Sequence, residues 1–126
     1  MNEIYYFIDG DGYVAKVRWD GDAWDNTKYK IGNCFKTREE AEFQAERLRV
    51  LAEMREFEES SDREWNCRNP HYFISYNIRM EKMEINYAYT VKDNNIYFET
   101  EEKARECILK VGADRIKRFY LRIKED

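Results

Sequence analysis

The sequence predicts an α+β fold made of two β-β-β-α repeats sharing one antiparallel sheet, with one long helix and one or two shorter ones. Three observations predict it. Residues 32–57 read as a strand end, a helix cap and a long helix. A copy of the cap recurs 63 residues later, Phe35-Lys36-Thr37-x-Glu39-x-Ala41 against Phe98-Glu99-Thr100-x-Glu102-x-Ala104. Tyr6-Phe7-Ile8 recurs as Tyr72-Phe73-Ile74, at an offset of 66. The offset of 63 also pairs Ala45 with Ile108 and Leu48 with Val111. The expected division is a first repeat over 1–58, a linker over 59–70 and a second repeat over 71–126. Each repeat alone is too small to bury much surface, so the two are expected to form one globular unit around a sheet of about six strands.

The elements follow in order. Residues 3–8 and 13–19 are expected strands, the second placing Tyr13, Ala15, Val17 and Trp19 on one face. Asp9-Gly10-Asp11-Gly12 between them is a hairpin signal; a calcium loop needs further oxygen ligands and a distal Glu. Residues 20–27 read as a polar acidic loop carrying Trp24, and 28–35 as a third strand. Thr37 followed by Glu40 has the spacing of a capping box, and Glu39 and Glu40 suit the positive helix end. The helix is expected over 38–58.

Two apolar stripes run along that helix. Ala41, Ala45, Leu48 and Ala52 form one, small enough to lie close on a sheet. Phe43, Val50, Met54 and Phe57 form the other, and a helix over one sheet needs only one such face. The rest of the chain, a second copy or a partner must cover it. These four residues are therefore the expected interface of a homo-oligomer.

Ser, Asp, Asn and the only Pro mark 59–70 as linker, although Trp65 and Cys67 within it suit packing. A strand opens at His71, residues 83–91 alternate, and 96–99 make a short strand after an Asp93-Asn94-Asn95 turn. Thr100 caps a helix that ends near Gly112. A last helix or turn turns Ile116, Phe119 and Tyr120 inward.

Composition bounds the function. Hydrophobic residues at 43% fill a core, and charged residues at 38% make a polar surface. A net charge of −4 argues against holding nucleic acid chiefly through its phosphates. Cys34, Cys67 and Cys107 are far apart, form no CxxC and accompany a single His. Free thiols in a reducing cytoplasm fit that pattern, and a zinc site does not. No signal peptide or membrane-length apolar run occurs. No catalytic set, P-loop or dinucleotide fingerprint is present, and His71 reads as a structural residue at a strand end. The expectation is a non-enzyme without cofactor or metal.

Two binding surfaces are candidates. One is basic, with Arg105, Arg115 and Arg118 beside Tyr120 as the expected ligand-binding group for a phosphate-bearing molecule. The other is acidic, formed by Glu42, Glu46, Glu53, Glu56, Glu58 and Glu59 with the 20–25 loop. It suits the nucleic-acid groove of another protein.

Gly32-Asn33-Cys34-Phe35-Lys36-Thr37-x-Glu39-Glu40-Ala41-Glu42, the continuation RLRVLAEMREF and the ending Ile96-Tyr97-Phe98…Gly112-x-Asp114-Arg115-Ile116-Lys117 together resemble a widespread set of small accessory proteins of phages and prophages of Gram-positive bacteria. The resemblance covers nearly the whole chain. It implies expression in the host cytoplasm and inhibition of host defence, as an anti-CRISPR-like inhibitor or a sponge for a cyclic nucleotide signal. Gly32, Phe35, Thr37, Glu39, Glu40 and Ala41 are also similar to the turn into the helix of the plant ethylene-response DNA-binding fold. That likeness implies the β-β-β-α shape and, as the alternative function, a small DNA-binding regulator. The strands depart from it by lacking dense Arg and Lys.

Overall fold

The computed structural model describes residues 3–60 and 65–124. The elements are β1 (Ile4–Ile8), β2 (Val14–Arg18), α1 (Ala23–Lys30), α2 (Arg38–Arg55), β3 (His71–Asn77), β4 (Lys82–Ala88), α3 (Glu101–Val111) and α4 (Ala113–Arg115). A π-helical turn, Ile116–Tyr120, follows α4. The class is α+β. The chain divides into a first unit, Met1–Leu48, and a second, Arg49–Asp126, with the division inside α2. Residues 61–64 of the expected linker lie outside the described residues.

In the first unit β1 and β2 pair antiparallel, with Tyr6 opposite Lys16. The turn between them is built by Asp9, whose carboxylate accepts from the backbone N–H of Asp11 and of Tyr13, both at 2.9 Å. Gly12 sits at φ +86°, a backbone state that glycine adopts without a steric penalty. The third strand shrinks to one residue. Phe35 and Tyr6 exchange both backbone hydrogen bonds, at 2.8 and 2.9 Å. Two residues later the Thr37 hydroxyl accepts from the Glu40 N–H at 3.2 Å and opens α2.

The second unit repeats this order. β3 and β4 pair antiparallel, Tyr72 and Phe98 exchange backbone bonds at 2.7 and 3.0 Å, and the Thr100 hydroxyl accepts from the Lys103 N–H at 3.1 Å. The helix α3 ends at Gly112, whose φ of +108° a side chain would strain. Its core joins Val50 and Met54 of α2 to Ile74, Ile96, Phe98, Cys107, Val111 and Ile116. Phe119 and Tyr120 pack against it from the π-helical turn.

Several expectations are corrected. The single sheet of about six strands is two separate two-stranded sheets, because each third strand supplies only one bridging residue. Residues 28–35 are not a strand. Asp22 caps α1 by accepting from the Asp25 N–H at 2.8 Å, so residues 23–27 of the expected acidic loop and 28–30 of the expected strand form that helix. The expected oligomer stripe is mostly core: Val50 and Met54 are both 0% exposed, and Phe57 packs beside them, all in the second unit. Only Phe43, in the first unit, stands outside that core, and it is half-buried. The other stripe is split too, with Ala41 and Ala45 buried and Leu48 and Ala52 exposed.

Met54→Ala should therefore cost about 2–5 kcal/mol, the range for truncating a fully buried large side chain. Leu109→Ala, at an 83% exposed site, should stay within about 0.5 kcal/mol. Urea unfolding of the two variants checks this; a small effect of Met54→Ala would place that side chain outside the core.

Candidate binding cleft of the first unit

The first unit is pinned by one buried carboxylate. Asp25, carried by α1, is 3% exposed. It accepts from the Tyr5 hydroxyl at 2.5 Å, from the Asp20 N–H at 2.7 Å and from the Gly21 N–H at 3.0 Å. A carboxylate holding several donors stays ionised even when buried. The Tyr5 bond, with the Asp20 and Gly21 amides, holds the Asp25 carboxyl below the usual range against the opposing effect of burial. Burial first, and then the Asp25 carboxylate, push the Tyr5 phenol above its ordinary value.

A second clamp uses Asn33 of the Gly-Asn-Cys-Phe run. Its side-chain amide accepts from the Ile8 N–H at 2.7 Å and donates to the Ile8 carbonyl at 2.8 Å. The side chain thus acts as a further peptide group at the end of β1. The Phe35 bridge follows two residues later.

These anchors frame a cleft of about 730 Å³ whose walls include Tyr5, Trp19, Tyr29, Cys34 and Phe35. Glu3 and Lys36 add one charge of each sign to its lining. Tyr5 meets Trp19 at 5.8 Å between ring centroids and 64° between planes, and Trp19 meets Tyr29 at 6.4 Å and 80°. Burial and the nearby Asp25 charge push the Cys34 thiol up, so it is a weak nucleophile there. On α1, Trp24 is 74% exposed and Tyr29 69% exposed.

The second unit contains a related group. His71 opens β3 and is fully buried, and its Nδ1 lies 2.8 and 2.9 Å from the two oxygens of the Glu59 carboxylate. Trp65 stacks on the imidazole at 3.6 Å and 7°, and Tyr97 meets that Trp edge-on. Among the described residues Nε2 has no hydrogen-bond partner. Arg55, Glu58, Glu59, Trp65, Lys92 and Tyr97 lie around a smaller cavity of about 460 Å³ beside this group.

Each residue of the ligand group read from the sequence is engaged in a local contact of its own. Arg115 grips Glu53 through two bonds of 2.9 and 2.6 Å and donates to the Val111 carbonyl at 3.0 Å. Arg105 pairs with Glu101 one turn away at 2.8 Å. The Arg118 guanidinium lies 5.2 Å from the Phe119 ring centre. The Tyr120 hydroxyl accepts from the Ile96 N–H at 2.8 Å, and burial pushes its pKa up. None of the four lines the cavities of about 730 and 460 Å³, nor a further first-unit cavity of about 580 Å³ lined by Ile8, Ile31, Asn33, Phe35, Gln44 and Leu48. The acidic helix surface is also partly used, by Glu53 in that clamp and by Glu59 on His71.

The sequence reading missed Tyr5, Trp19 and Tyr29 as a site. Trp19 and Tyr5 were visible only as strand aromatics, and Tyr29 was placed in a strand. Among the described residues no group of three or more His, Cys, Asp or Glu is arranged to hold a metal ion, and no helix is long and apolar enough to cross a membrane. No protein-family model, curated protein or solved structure matches the chain.

Asp25 gives the first unit a pH dependence. Its folded pKa is depressed, so its stabilisation is present above the unfolded value of about 4 and is lost as pH falls through the folded value. Asp25→Asn should lower the melting temperature at neutral pH. The gap between wild type and variant should close as pH falls from about 7 toward 2. Thermal unfolding across that range checks it; a gap that stays constant would show that Asp25 ionisation does not support the fold.

Proposed function

We propose that this chain is a non-enzymatic binding protein that inhibits a protein component of bacterial host defence by direct contact, through the aromatic face of the first unit. The observation that carries the contact surface is the cleft of Tyr5, Trp19, Tyr29 and Phe35, on a unit whose α1 also exposes Trp24 to solvent. Trp and Tyr are the side chains that most often carry binding energy at protein interfaces, because they bury large area at low conformational cost. The rigid Tyr5–Asp25 anchor supports the same reading, since a preorganised surface loses little freedom on binding.

A protein target is favoured over a sequestered cyclic nucleotide. Arg115 is committed to Glu53, and among the described residues Lys36 is the one cation in the cleft lining, with Lys28 reaching the Tyr5 hydroxyl at 3.4 Å. A phosphate ligand needs more positive charge than that. The phage setting, the host cytoplasm and the defence role rest on the sequence resemblance.

Expression in bacteria carrying active CRISPR interference or a cyclic-nucleotide defence should restore phage plaques in at least one of these hosts. The double variant Trp24→Ser with Tyr29→Ser, both at exposed sites, should keep its fold and lose about tenfold or more of that effect. Restoration in none of the hosts, or full activity of the double variant, would overturn the proposal.

A further inference from the structure

We infer that β4 is the contact strand of a homodimer, pairing antiparallel with β4 of a second copy so that the two small sheets join into one. The pairing uses no residue of the first-unit cleft, and its test is independent of the binding role proposed above.

The backbone comes first. In an antiparallel pair, successive residues of a strand turn their N–H and C=O to one side and then to the other. Tyr72 exchanges both of its backbone bonds with Phe98, so those groups point away from β4. Tyr72 stands opposite Tyr87, and the register is unbroken from His71 opposite Ala88 to Asn77 opposite Lys82. Glu84 and Asn86 therefore bond to β3, and Met83, Ile85 and Tyr87 turn their N–H and C=O to the outer side. Among the described residues no backbone group bonds to them there. A row of open groups of this kind is a template for a further strand.

The outer strand of the other sheet, β2, is guarded against such pairing. Tyr6 exchanges its bonds with Phe35 and stands opposite Lys16, so Val14, Lys16 and Arg18 hold the outward groups. Lys16 and Arg18 are exposed cations, which discourage strand addition. Two β2 strands centred on one another would also set Lys16 against Lys16, and like charges directly opposite are destabilising. On β4 the outward positions carry no charge.

The β4 sequence selects the occupant. A two-fold pairing centred on Ile85 sets Ile85 against Ile85 and, twice by symmetry, Met83 against Tyr87. Tyr87 is 62% exposed in the single chain and meets the Met83 thioether across the strands. On the opposite face each Glu84 meets an Asn86. One Glu84 oxygen already accepts from the Asn77 amide at 2.9 Å, and the Asn86 amide already donates to the Ser75 hydroxyl at 2.6 Å. The second Asn86 N–H and the other Glu84 oxygen are complementary donor and acceptor. Sliding the register two residues one way sets Glu84 against Glu84, and sliding it either way leaves an end of each strand unpaired. A foreign strand would have to supply these residues in this order, whereas a second copy carries them.

The test combines sedimentation of the full chain with amide hydrogen exchange followed by NMR. The protein should show a monomer–dimer equilibrium. The Met83, Ile85 and Tyr87 amides should exchange slowly in the dimer and quickly on dilution, while the Glu84 and Asn86 amides stay slow in both states. Asn86→Glu sets carboxylate against carboxylate twice and should weaken the dimer about fivefold or more, whereas Asn86→Lys should tighten it. Position 86 is exposed and both variants lose the same Ser75 bond, so the difference between them reads the contact and not the fold. A monomer at every concentration, a dimer whose Met83, Ile85 and Tyr87 amides exchange quickly, or equal dimer affinity of the two variants would overturn the inference.

Discussion

Both units depend on one pair of backbone hydrogen bonds. In each, a phenylalanine exchanges N–H and C=O with the tyrosine of the first strand, Phe35 with Tyr6 and Phe98 with Tyr72. A threonine two residues on then caps the helix, Thr37 for α2 and Thr100 for α3. The bridge fixes where the chain leaves the sheet, and the cap fixes where the helix begins. With only one linking residue between them, the helix start has little freedom relative to the first strand. A full third strand would add further bonds but is not needed to set that geometry. The Phe-x-Thr spacing is therefore the smallest form of a β-β-β-α turn.

The repeat extends to a feature that residue identity hides. Tyr5 and His71 stand at matching positions, each just before the repeated Tyr-Phe-Ile triplet. Both are buried polar rings held by a carboxylate, Asp25 for Tyr5 and Glu59 for His71. Both also touch a tryptophan, Trp19 edge-on and Trp65 in a stack. The carboxylate arrives from outside the repeated core in each case, from α1 in the first unit and from the segment after α2 in the second. A buried polar ring needs a partner, and a buried carboxylate needs donors. Each pair joins a polar ring to a carboxylate, although His71 Nε2 is left without a partner among the described residues, and so fastens a non-repeated segment to the start of the first strand.

The α+β class, the repeat, both caps, the Asp-Gly hairpin and the end of α3 at Gly112 were legible because each has a local cause. Periodicity, a capping hydroxyl or a glycine at positive φ acts within a few residues. The α1 helix was not legible. Its residues, Ala23–Lys30, include Asn26 and Thr27, which favour caps and turns over helix interiors, and its apolar periodicity is poor. It is stabilised instead by the Asp22 cap and by the contact of Asp25 with Tyr5, twenty residues away. The cleft was hidden for the same reason, since Tyr29 reaches Trp19 only once 23–30 is a helix. Val50 and Met54 were misjudged because helical periodicity shows that a stripe is apolar and not what covers it.

The bridging phenylalanines show why the larger aromatic cleft opens in the first unit. Phe98 is fully buried, in a core completed by residues that follow α3: Ile116, Phe119 and Tyr120. Phe35 holds the matching place in the repeat, but its surroundings are different. The segment inserted before it, α1, contributes one buried side chain, the carboxylate of Asp25, and otherwise presents Trp24 and Tyr29 to solvent. A largely apolar tail of Ile116, Phe119 and Tyr120 seals the second copy, whereas a polar anchor holds the first and leaves Phe35 in a cleft wall. Duplication would supply a stable sheet-and-helix frame twice. The copy without an apolar seal keeps aromatic side chains with surface still to bury, which is what the proposed binding role requires of it.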